Sequence, residues 1–196
     1  FMQKMDFANK MFTNLPEIST GWILATLLIV VLIGAIIGLV NGFFVAKFSL
    51  HPFIVTLSTQ LITYGIILWF FALNGNNGQP ISGLSKEYKE FVGGEIFRLG
   101  GVVVPRYVLY AILLTILMWF IWNKTTFGKN MFAVGSNAEA AKVSGVNVFM
   151  TTMLVHTLAG AMYGYAGFIE GVRAGSVAAS TGLNAECDAI AACVIG

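Results

Sequence analysis

WILATLLIVVLIGAIIGLVNGFFVA, residues 22–46, runs for 25 residues without a charge. A helix crossing the hydrocarbon core of a bilayer needs about 20 mostly apolar residues. This stretch therefore predicts a membrane-spanning helix, opened by Trp22 at interfacial height and closed by Lys47. Gly34, Gly38 and Gly42 recur within it at a four-residue period. Such a stripe lets a second helix approach closely, although membrane helices also tolerate glycine without that purpose.

The same pattern repeats outward along the chain. Spans are predicted at about 22–46, 53–73, 102–122 and 148–169, with the start of another at 187–196. The third includes Val102 to Val104 as an apolar lead-in. The fourth again carries small residues four apart, Gly160 with Gly164 and Gly167 with Gly171. Composition agrees: 57% of the 196 residues are hydrophobic and only 10% are charged, against about 25% in an average soluble domain. Too few charges remain to cover a soluble surface, and the apolar content excludes a disordered chain. A net charge of +2 offers nothing to nucleic acid. The fold class is all-α, a polytopic transmembrane helical bundle. Because the sequence opens on Phe1 and ends at Gly196 inside an apolar run, it is expected to be truncated at both ends.

Between the spans lie polar segments: residues 1–20, a loop over 74–101, a loop over 123–147, and a small-residue stretch from Gly175 to Asn184. Ser85 to Val92 predicts a short surface helix capped by Ser85. Four spans put Lys47, Lys124, Lys129 and Lys142 on one side and seven basic residues on the other. That count does not fix the orientation by the positive-inside rule.

Chemistry-bearing residues are sparse. No G-x-x-x-x-G-K-[ST] phosphate loop occurs, so the chain does not hold ATP in that way. No nucleophile stands beside a base, so no catalytic residue is predicted. His51, His156, Cys187 and Cys193 have no metal-ligand spacing. The cysteines, six apart, diverge by about 120° on a helix. His156 is the one ionisable side chain within a predicted span, either a relay or a ring satisfied by a carbonyl one turn away. The second span carries Thr56, Ser58, Thr59, Gln60, Thr63 and Tyr64, polar groups that lipid cannot satisfy. They belong either to a packed interior or to the lining of a path for a polar solute. In the 123–147 loop, Ser136 and Glu139 form an S-x-x-E capping box, Ala138, Ala140 and Ala141 favour helix, and Gly145 suits the closing position. A rigid helix over 137–144, about 12 Å long, is expected there, either an ordinary capped loop or a docking element.

The run WNKTTFGKNMFAVGSNAEAAKVSGVN, residues 122–147, resembles the coupling loop of ribose/galactose-type ABC importer permeases. The DAIAA segment at 188–192, GLVNG at 38–42 and HPFIVTL at 51–57 are similar to other helices of that family. The likeness covers nearly the whole chain, nearest the family's galactose/methyl-galactoside branch. It implies a multi-pass subunit of the bacterial inner membrane that moves a galactoside or a ribose-like monosaccharide from periplasm to cytoplasm. It also implies a second permease copy, an ABC ATPase subunit holding ATP and Mg2+, and a periplasmic sugar-binding protein. No cofactor is expected on this chain. The 123–147 loop becomes cytoplasmic and the 74–101 loop periplasmic. Ser136, Asn137, Glu139, Ala140, Ala141 and Gly145 would couple to the ATPase. The candidate path residues are Asn41, Thr56, Thr59, Gln60 and Thr63. Gly34, Gly38, Gly42, Gly160 and Gly164 are assigned to helix packing.

The competing expectation is an ATP-independent secondary transporter or channel for a small polar solute, which would need an embedded ionisable group or inverted repeats.

Overall fold

The computed structural model describes residues 20–73, 79–83, 85–99 and 102–195; the polar connection expected over residues 1–20 lies almost wholly outside them. Eight helices occur among the described residues: α1 (Thr20–Phe48), α2 (Pro52–Leu73), α3 (Lys86–Gly93), α4 (Arg106–Lys124), α5 (Thr126–Ser136), α6 (Ala138–Val143), α7 (Val148–Ala174) and α8 (Ala185–Ile195). Three of them, α1, α2 and α4, are long and apolar enough to cross a membrane. The 27 residues of α7 give it a length of about 40 Å. Its glycines, threonines and His156 dilute its apolar character.

Gly160, Gly164 and the backbone of His156 lie against α1. A methyl group on Gly38 would sit 2.2 Å from the His156 carbonyl oxygen, and one on Gly160 would sit 2.2 Å from that of Gly34. Gly42 faces Met153, and Gly164 faces Val30. As position numbers rise on α1 they fall on α7, so the two helices are antiparallel and in backbone contact for more than two turns. The pairing extends to Phe43 against Phe149 at one end, edge to face with ring centroids 6.4 Å apart. At the other end Ile23 clusters with Phe168 and Val172. Gly167, by contrast, faces open space.

Beyond that second end the polar connections fold back as a cap. Val92 of α3 is fully buried in the cluster with Ile23, Phe168 and Val172. Tyr88 shares a hydrogen bond with Thr26 at 2.9 Å, and Tyr110 of α4 donates to the Phe91 carbonyl at 2.9 Å. Ser85 stands at the N-cap position of α3, without a side-chain bond to its first turn.

Two small antiparallel ladders decorate the helical frame. Strands β1 (Ile81–Ser82) and β4 (Ser176–Val177) pair Ile81 with Val177. Strands β2 (Glu95–Leu99) and β3 (Val102–Pro105) form a hairpin. The second corrects the expected third span. Val102, Val103 and Val104 are not a helical lead-in; three consecutive β-branched residues pair with Leu99, Arg98 and Phe97. The helix starts only after Pro105.

A further departure lies at the end of α4. The chain does not enter a plain loop but turns at once into α5. Thr125 accepts a hydrogen bond from the Gly128 amide at 3.1 Å and donates to the Ile121 carbonyl at 2.5 Å. Gly128 lies so close to the end of α4 that a methyl there would sit 2.1 Å from the Trp122 oxygen.

Leucine at Gly38 should force α1 and α7 apart, at a cost of about 1–3 kcal/mol or more. Thermal unfolding in detergent should show a lowered midpoint for Gly38→Leu. Gly65→Ala, on α2 with nothing within 4 Å, should leave it within error of the parent.

Candidate functional site

Two polar features stand out on this frame. The first is a stripe along α2. Thr56, Thr59, Gln60 and Thr63 are spaced three and four apart, which puts them on one helix face. Pro52 opens the helix, and the His51 carbonyl accepts from the Ile54 amide at 3.1 Å. Thr59 donates to the Asn41 side-chain oxygen at 2.5 Å. Asn41 is itself buried on α1. Thr56 lies nearly a turn nearer the start of α2 and returns its hydroxyl to the carbonyls of Pro52 and Phe53. Thr63 is half-buried one turn further on.

Gln60 stands at the opposite edge of the stripe from Thr59. Its amide donates to a carboxyl oxygen of Glu186, the second residue of α8, at 2.9 Å. Local sequence carries no signal for this contact, since the two residues are 126 positions apart. It brings a carboxyl group to a span that reads as uncharged. Gln60 lies about 12 Å along a helix about 33 Å long, eight residues past Pro52. Along the stripe, then, α1 contributes a buried amide, α2 hydroxyls and an amide, and α8 a carboxylate.

His156 stands apart from this stripe on α7. Its Nδ1 lies 2.9 Å from the Thr152 carbonyl oxygen, and its backbone forms part of the close contact with Gly38.

The second feature is the loop between α4 and α7. Its expected single helix is two. Ser136 does not cap the second; it ends α5, and its hydroxyl bonds back to Ala133 at 3.0 Å. Asn137, extended at φ −159°, breaks the two helices apart and accepts from the Ala140 amide at 3.0 Å. With Asn137 as cap, Glu139 falls in the first turn, where the helix dipole favours its charge, but it is one place short of closing a capping box. Gly145 takes φ +84°. Its amide donates to Lys142 at 3.1 Å, and that of Val146 donates to Ala141 at 3.0 Å, the paired bonds of a Schellman ending. Asn137, Glu139, Ala140 and Gly145 are exposed, while Ala141 is buried beneath them. The pair Thr125 and Gly128, which hold the corner into α5, are further residues that the sequence reading passed over. A threonine three places before a glycine was their only signal.

Removal of the Asn137 cap should cost about 1 kcal/mol, or about a fivefold rise in the opening of α6. Hydrogen exchange on Asn137→Ala should show that rise at the α6 amides and leave those of α7 unchanged.

Residues 7–196 match the family described as branched-chain amino acid transport system / permease component. The galactose/methyl galactoside import permease protein MglC of Escherichia coli (strain K12) is 44% identical over 195 residues, which is 100% of this chain and 56% of that protein. The fructose import permease protein FrcC of Rhizobium meliloti is 37% identical over 164 residues, 84% of this chain and 45% of that protein. The ribose import permease protein RbsC of Bacillus subtilis (strain 168) is 33% identical over 156 residues, 80% of this chain and 46% of that protein. The chain thus spans about half the length of the relatives it matches. No solved structure matches it. With several apolar helices long enough to span, it is a multi-pass protein of the bacterial inner membrane. The match over nearly all of its length makes the chain a member of the family described as branched-chain amino acid transport system / permease component.

Proposed function

We propose that this chain is membrane-spanning sequence from the permease subunit of an ATP-driven importer that moves a monosaccharide from periplasm to cytoplasm, with a galactose or methyl galactoside type of sugar favoured over a ribose-like one. The observation that carries this reading is the 44% identity, over the whole chain, to a galactose/methyl galactoside import permease. The uncharged hydroxyls and amides of Asn41, Thr56, Thr59, Gln60 and Thr63 support it, because such groups bind sugar hydroxyls without the desolvation cost of a buried charge.

The work is then divided among subunits. A partner ATPase holds ATP and Mg2+ and hydrolyses the nucleotide; a second permease copy completes the path; a periplasmic sugar-binding protein delivers the solute. The cytoplasmic 123–147 segment docks the ATPase, with Ser136, Asn137, Glu139, Ala140, Ala141 and Gly145 at the contact. Capping at both ends keeps α6 rigid enough to transmit displacement. Tight packing of α5 against α4 carries that displacement into a spanning helix, in the manner of a rigid-body rocking. The 74–101 loop faces the periplasm.

One observation favours the other reading, a secondary transporter: the Glu186 carboxyl stands beside a span, where a coupling proton would bind. The energy source separates the two. The full-length protein, reconstituted with its ATPase and binding protein, should take up galactose only with ATP. Uptake driven by a proton gradient without ATP would overturn the importer reading. Glu139→Arg with Gly145→Val should abolish co-purification of the ATPase while the permease stays folded in the membrane.

A further inference from the structure

Every path residue predicted from the sequence is uncharged, yet the side chain that hydrogen-bonds to Gln60 from a distant element is a carboxylate. Glu186 reaches that depth because of the backbone before it. Val177 is tied to Ile81 beyond the far ends of α7 and α2. From there the chain comes inward through successive tight turns. The Thr181 amide bonds to Ala178, that of Leu183 to Ser180 and that of Ala185 to Gly182. Gly182 and Asn184 both adopt positive φ, +84° and +69°. So α8 starts beside the first third of α2, not level with the end of α7. Irregular backbone at such a depth persists where it is buried in protein or lines a water-filled cavity.

The stripe already contains groups that both donate and accept. An ionised carboxyl only accepts, and its two oxygens can take two hydroxyl donors at once. We infer that Glu186 is a solute-contacting residue of the path, specific for the adjacent hydroxyl pair of an uncharged polyol, and that the Gln60 amide occupies its oxygen while no solute is there. The Gln60 amide mimics a sugar donor, so the carboxylate is never left without a partner. When sugar arrives, its hydroxyls displace the amide, which turns to the ring or to a neighbouring oxygen. Charge-assisted bonds of this kind are stronger than neutral ones. A neutral amide at this position would therefore bind more weakly and discriminate less against a solute lacking one hydroxyl. This inference rests on the stripe of α2 being the sugar path.

The test uses the full-length protein with its ATPase and binding protein in proteoliposomes, with galactose and 2-deoxygalactose as probes. Glu186→Gln should reduce ATP-driven galactose uptake tenfold or more and narrow the preference for galactose over the deoxy sugar. Glu186→Asp, which keeps the charge but draws it back by one methylene, should lose less. The exchanged pair Gln60→Glu with Glu186→Gln keeps an amide–carboxyl bond between the helices and so preserves a purely structural tie; it should remain as impaired as Glu186→Gln. Recovery by the exchanged pair would overturn the inference and leave a latch between helices. Uptake by Glu186→Gln within twofold of the parent, with the preference intact, would also overturn it while the importer reading stands. If Glu186→Gln does not assemble, Glu186→Asp and the exchanged pair decide by the same measures. Absence of sugar uptake by the parent itself would remove the importer reading and this inference together.

Discussion

The backbone contact between α1 and α7 is the constraint on which the rest depends. Lipid tails are as apolar as leucine, so burial alone draws no two helices together in a bilayer; close packing and hydrogen bonds do. Glycines at 34, 38 and 42 meet Gly160, His156 and Met153 at distances that no side chain would survive. This fixes the relative height of the two helices. It also sets Asn41 facing α2, where Thr59 meets it. The cap at the far end follows from the same register, because Ile23 and Val172 must lie level for Val92 to seal between them. Site and cap are therefore positioned by one interface.

Much of this was legible in the sequence because membrane helices write themselves in composition. An uncharged run of 25 residues admits few other structures, and a four-residue glycine period marks a helix face whatever that face meets. Thr56, Thr59, Gln60 and Thr63 share a face of α2 by spacing alone. The family resemblance rested on whole motifs, and the comparisons bear it out.

The rest was illegible for definite reasons. Three valines suit a spanning helix and a strand equally, and only pairing with residues 97–99 decides. Ser136 and Asn137 are both good caps; which one serves depends on how far α5 runs, and Thr125 sets its start. The Gln60–Glu186 contact depends on where α8 begins in depth, a property of turns at Gly182 and Asn184 that local propensity does not report. A stripe on α2 that is neutral in sequence thus has a carboxylate beside it.

The close fit of α1 and α7 also bears on how the protein is made. A segment leaving the ribosome enters the bilayer unaided only if it is apolar enough by itself. α1 meets that condition and emerges before α7. α7 follows about a hundred residues later, with Gly160, Gly164 and His156 turned toward a groove that α1 already offers. Membrane insertion of the later helix is then assisted by the earlier one, so order of synthesis is part of the fold. A defect in the glycine face of α1 would be felt first during biogenesis, as a late helix left stranded outside the bilayer, before any finished transporter existed to be unstable.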